Sequence, residues 1–172
     1  MSRHMTKEPE AGTSAEEEYR RAKDVALKFL GYQSRSVRQV RAYLSRKGYQ
    51  DEIIVRVLEK LQNLGLVDDR RLCAERVVRG IESERSGPLR LRQELYRAGI
   101  DRTVVEDCLA EVLAGRTEED LALATARTHL PRVAGLPAPE VWRKLFGFLA
   151  RRGYSADAIS AALRTLLGEP DL

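Results

Sequence analysis

The chain has 172 residues, 43% hydrophobic and 33% charged, with a formal net charge of +4. That is enough for one ordinary domain or a short array of small units, and no apolar run approaches the about 20 residues that span a bilayer. Two cysteines, Cys73 and Cys108, lie far apart in sequence with no CxxC pair, which excludes a disulfide scaffold and suits a reducing cytoplasm.

The start, "MSRHMTKEPEAGTSAEEE", is polar throughout and does not read as a signal peptide. Residues 1–15 are expected to be a disordered acidic extension or a tag remnant. The first 18 residues hold five acids against two bases, which leaves 28 bases against 21 acids in the body. Arginine dominates that surplus, and its planar fork suits phosphate and carboxylate.

A first amphipathic helix is predicted over 16–30. Ser36 and Gln39 then form a capping-box pattern, so a helix should begin at Val37, with Val37, Val40 and Leu44 on one apolar stripe. It should stop at Gly48, in the spelling "LSRKGY" (44–49). The same spelling returns as "LYRAGI" (95–100) and "LARRGY" (149–154). A Schellman ending explains it: the glycine takes the left-handed conformation, and the next residue packs back on the leucine. Arg46, Arg97 and Arg151 fall in the last turn, where a cation complements the helix dipole.

A second helix follows each glycine at matching offsets, with stripes Ile54–Leu58–Leu61, Val105–Leu109–Val112 and Ile159–Leu163–Leu166. Further helices are predicted over 69–82, capped by Asp68 or Asp69, and over 117–129, opened by Thr117 and Asp120. "LPRVAGLPAPE" (130–140), with three prolines, reads as the longest loop. No strand alternation appears. The expected fold is all-α: three tandem three-helix repeats, 16–65, 66–114 and 115–168, with a short tail at 169–172. A period near fifty residues predicts an elongated, curved, solenoid-like array.

The search for chemistry returns little. There is no phosphate-binding glycine loop, the two histidines (His4 and His129) are too few for a zinc site, and no cofactor or metal is expected. Asp68 and Asp69 read as caps, and the cysteines as small buried residues. The chain is not expected to be an enzyme. Arginines stand out instead: Arg35, Arg38, Arg41, Arg46 and Lys47 in the first repeat, Arg85, Arg90, Arg92 and Arg97 in the second, and Arg143, Lys144, Arg151 and Arg152 in the third. They read either as a solvated face with local ion pairs, such as Arg90 with Glu94, or as a basic track carried along the repeats. No acid lies between Arg35 and Lys47, so nothing local neutralises that segment. Most tyrosines and Trp142 fall near apolar stripes, which gives a base-stacking platform little support.

Four stretches, "SRSVRQVRAYLSRKGY", "VLEKLQNLGLVDDRRLCAERVV", "SGPLRLRQELYRAGID" and "LARRGYSADAISAAL", carry a resemblance to the RecX family over roughly residues 20–167. "LGLVDDRRLCAE" is the most specific; Gln33, Gln39–Val40 and Leu72 depart from the family's usual spelling. The resemblance implies a cytoplasmic, monomeric regulator of the RecA recombinase. Such a protein lies along the RecA filament on single-stranded DNA, limits its ATP hydrolysis, strand exchange and coprotease activity in recombination, DNA repair and the SOS response, and can contact single- and double-stranded DNA. The residues expected to face filament or DNA are the arginines and lysines just named, without Arg85. A stand-alone DNA-binding helical module and a helical scaffold for another protein are the rival readings. Acids on "DEIIVRVLEK" and "DRTVVEDCLAEV" speak against a major-groove reader.

Overall fold

The computed structural model describes residues 11–31, 33–83 and 86–168. Among them are nine α-helices, one 3-10 turn and no strand. The helices are α1 (Ala11–Leu30), α2 (Val37–Arg46), α3 (Asp51–Asn63), α4 (Asp69–Glu82), α5 (Pro88–Ala98), α6 (Arg102–Val112), α7 (Glu118–His129), α8 (Ala138–Arg152) and α9 (Ala156–Leu167). They make three consecutive helix triplets. Helix α1 starts at Ala11, so the expected unstructured start does not extend to residue 15; residues 1–10 and 169–172 lie outside the described residues.

Short-range chemistry sets the helix ends. The Gln39 N–H donates to Ser36 Oγ and the Ser36 N–H to Gln39 Oε1, both at 3.1 Å, which closes the capping box of α2. Thr117 and Asp120 form the same box on α7, at 3.0 and 2.9 Å. All three Leu-x-x-x-Gly-x endings are Schellman motifs. The Tyr49, Ile100 and Tyr154 N–H groups donate to the Leu44, Leu95 and Leu149 carbonyls at 3.2–3.3 Å. The Gly48, Gly99 and Gly153 N–H groups donate to Ser45, Tyr96 and Ala150, with φ between +81° and +88°.

The 130–140 segment departs from expectation. Leu130–Arg132 form a 3-10 turn and α8 already begins at Ala138, so only a short link remains. Pro137 and Pro139 sit at the helix start, where a missing N–H costs nothing and the fixed φ is already helical.

The helices gather into two compact units that part between Asp68 and Asp69. In the first unit α1, α2 and α3 pack pairwise around Ala22, Ala26, Val40, Leu44, Ile54, Val57 and Leu61, all fully buried. Ala22 and Ala26, one turn apart, let α1 approach closely.

The second and third repeats share a single core that runs from Leu72 on α4 to Leu163 on α9. The start of α5 closes on the end of α8: the Gly87 N–H donates to the Arg152 carbonyl at 2.7 Å, and the Leu89 N–H to the Gly153 carbonyl at 3.1 Å. Orphan donors of one helix thereby satisfy orphan acceptors of another, with opposite dipole ends facing. The approach demands glycine on both sides. A Cβ on Gly87 would lie 2.6 Å from the Gly153 carbonyl oxygen, and one on Gly153 would lie 2.4 Å from Arg90 Cβ.

Candidate functional site

In the first unit the capping box pins the start of α2, and the basic residues spread from there. Arg38 and Arg46 are exposed and form no ion pair among the described residues. Arg41 reaches Asp51 at the start of α3, 3.5 Å away, so a neutralising acid does come, from the next helix. Arg35 lies over the Phe29 ring, 4.9 Å from its centroid. Its Nε is buried with no acceptor among the described residues. Phe29, near the end of α1, stacks on Tyr43 of α2 with centroids 4.0 Å apart and planes 6° from parallel. Lys47 caps the far side of Tyr43 at 5.5 Å. Both rings are half-buried. A cation–ring–ring–cation stack therefore stands where the sequence offered little sign of an exposed aromatic.

In the second unit most of the expected track is already engaged. Arg92 makes a two-pronged pair with Glu106 of α6, Nε to Oε1 at 2.8 Å and Nη2 to Oε2 at 3.0 Å, and the Tyr96 hydroxyl also donates to Glu106. Arg92, followed by Tyr96, holds the Glu106 carboxyl below the usual range. This clasp ties α5 to α6, and it depends on an acid fourteen positions away. Arg90 pairs with Glu94 at 2.8 Å, and Arg143 and Lys144 share Glu140 at 3.7 and 3.6 Å. Arg97 and Arg151 are exposed and form no ion pair among the described residues. The fold brings them together from successive repeats. With Arg90, Gln93, Leu89 and Gly153 they line one groove of about 410 Å³ between α5 and the end of α8. Arg85 lies outside the described residues.

Arg152 sits 4.3 Å over the Phe148 ring, and Phe148 stacks on His129 at the end of α7, 3.7 Å apart and 11° from parallel. Burial, then the charges of Arg132, Arg152 and Arg151, lower the His129 pKa from its ordinary value. Because the folded state binds that proton less readily than the unfolded chain, His129 contributes stability above about pH 6.5. The contribution is lost as pH falls through the folded value. A urea midpoint that drops between pH 7.5 and 5.5, with a smaller drop in His129→Gln, is the expected result.

Cys73 and Cys108 face each other across α4 and α6. The Cys73 thiol points at the Val104 carbonyl (4.0 Å) and the Cys108 thiol at the Arg70 carbonyl (3.7 Å). Burial, with the neighbouring Cys108, pushes Cys73 up to about 12, so it stays a thiol rather than a nucleophilic thiolate. Among the described residues no three His, Cys, Asp or Glu side chains gather as a metal site. No described helix is long and apolar enough to cross a membrane.

Comparison with known proteins gives this geometry a family. Models of the first, second and third three-helix domains of RecX match residues 22–61, 68–109 and 117–163. The regulatory protein RecX of Amycolatopsis mediterranei is 32% identical over 85% of this chain and 83% of its own length. The chain belongs to the RecX family. Another RecX relative, from Chlorobium phaeobacteroides, is 30% identical over 87% of this chain and 95% of its own. The crystal structure of RecX from Lactobacillus salivarius matches with a TM-score of 0.75 over 88% of this chain and 97% of that one, at 21% identity. A second RecX crystal structure matches at 0.74. These relatives are named regulatory proteins rather than enzymes.

Proposed function

We propose that this chain binds RecA filaments on single-stranded DNA and restrains their ATP hydrolysis, strand exchange and coprotease activity, acting as a cytoplasmic monomer in recombination, repair and the SOS response. Membership of the RecX regulatory family carries the reading. The charge pattern supports it. Arg38 and Arg46 in the first unit, and Arg97 and Arg151 in the second, hold exposed guanidinium groups without an internal ion pair among the described residues. Such groups suit carboxylates and phosphates on a partner, and their contacts weaken with salt. Arg92, clasped to Glu106, is the member of the expected track with least to offer.

The test is single-stranded-DNA-dependent ATP hydrolysis by the cognate RecA, with this protein titrated in below one-to-one. Inhibition at substoichiometric ratios is expected, since one bound molecule would act on more than one subunit of a polymer. No effect at saturation, with DNA binding intact, would move the chain to the DNA-binding module reading. The exposed acids Asp51, Glu52 and Glu59 of α3 argue against that module as a major-groove reader.

A further inference from the structure

The two ring stacks occupy equivalent places in repeats one and three. Tyr43 and Phe148 each stand five residues before the Schellman glycine, Gly48 or Gly153, and Lys47 and Arg152 each stand one residue before it. In both repeats the partner ring, Phe29 or His129, comes from the end of the preceding helix. Repeat two breaks the pattern: Glu94 and Ala98 hold the corresponding positions before Gly99.

From this recurrence we infer that repeats one and three each carry a seat for an unpaired nucleobase, built from an aromatic pair and the cation beside it, and that repeat two carries none. The rings are 4.0 and 3.7 Å apart, which leaves no room for a cation between them. Lys47 and Arg152 therefore cover the outer faces of Tyr43 and Phe148. Lys47 is exposed and its contact, at 5.5 Å, is loose. A base entering there extends the stack onto Tyr43, and the displaced ammonium moves to the flanking phosphate. Stacking a base on an aromatic face is stronger than an exposed cation–π contact. Arg35 adds a buried Nε with no acceptor among the described residues, on the other side of the first stack.

The rings decide the class of ligand. A carboxylate on an acidic protein would use the cations, but the negative ring faces would repel it. A single strand uses both, base on ring and phosphate on cation. Phe29 and Phe148 also lie against the cores, but packing alone is a weaker account of Tyr43, which is only half-buried while Leu44 already anchors α2.

This binding needs no RecA, so it is measured without it. Fluorescence anisotropy would compare a labelled oligothymidylate with an abasic strand of equal length, against the intact protein, Tyr43→Leu, Phe148→Leu and Lys47→Ala. Each ring variant is expected to weaken the base-bearing strand by roughly five- to a hundredfold, while leaving the abasic strand within about twofold. Lys47→Ala should weaken both strands. Tyr43→Phe, which keeps the ring, should bind as the intact protein does and serves as the folded control, with far-UV circular dichroism read on every variant. Equal losses on the two strands, or no loss on either, would overturn the stacking seats. So would a Tyr43→Phe variant that folds but fails to bind.

Discussion

Gly153→Ala is expected to destabilise the second unit by about 3 kcal/mol or more, from left-handed backbone strain and overpacking together, whereas Gly48→Ala in the same motif should cost only about 1–2 kcal/mol. Both glycines hold a strongly positive φ, +88° and +87°, so the intrinsic strain of adding a Cβ is shared. The surroundings differ. A Cβ at Gly48 meets nothing within 4 Å, whereas at Gly153 it lies 2.6 Å from the backbone nitrogen of Arg90 and 3.0 Å from its Cα. Backbone cannot rotate aside as a side-chain tip can. Relief would require α5 to lift off the end of α8, which breaks the bonds from Gly87 to Arg152 and from Leu89 to Gly153. Urea unfolding followed by circular dichroism checks both variants. Trp142, the one tryptophan, lies on α8 against the second core and reports Gly153→Ala by fluorescence. Equal shifts for the two variants would mean that the α5–α8 closure contributes nothing.

Arg35, Arg38 and Arg41 changed together to Ala are expected to raise the concentration needed to inhibit RecA at least about tenfold, since even one lost charge-assisted contact is worth that much. The fold should survive. Arg38 is exposed and without an ion pair among the described residues, and Arg41 loses only an exposed pair with Asp51, worth about 0–1 kcal/mol. Arg35, half-buried, loses its contact with Phe29, worth about 1–2 kcal/mol. The salt dependence of inhibition should flatten as well, because fewer contacts are left to screen. Full retention of inhibition at physiological salt, with an unchanged urea midpoint, would remove these three residues from the filament contact.

The residues that set helix ends act over three to five positions, and that is why they could be read directly. Ser36 with Gln39, Thr117 with Asp120, and each leucine five before its Tyr or Ile bond within one stretch of chain. Glu106, which engages Arg92, and Asp51, which engages Arg41, were not legible in this way. Each pairing depends on how the next helix is rotated, and that follows from which stripe it buries. The stacks fall between these cases. Their spelling, an aromatic five before the glycine and a cation one before it, is present in repeats one and three. What gives it meaning is the arrival of Phe29 and His129 from the ends of other helices.

By itself, then, the sequence determined an all-helical chain of three tandem triplets, with the starts of α2 and α7 and the glycine stops of α2, α5 and α8 written in short local codes. It also placed a surplus of arginine on those triplets. Tertiary structure decided which arginines lack an ion pair among the described residues, that repeats two and three share one core, and that Gly87 and Gly153 close α5 onto the end of α8. It also decided that half-buried rings meet in cation-capped stacks. The reason is range: a cap or a helix stop is an interaction between neighbours in the chain. An ion pair, a backbone-to-backbone closure and a ring stack join residues whose meeting depends on the packing of whole helices.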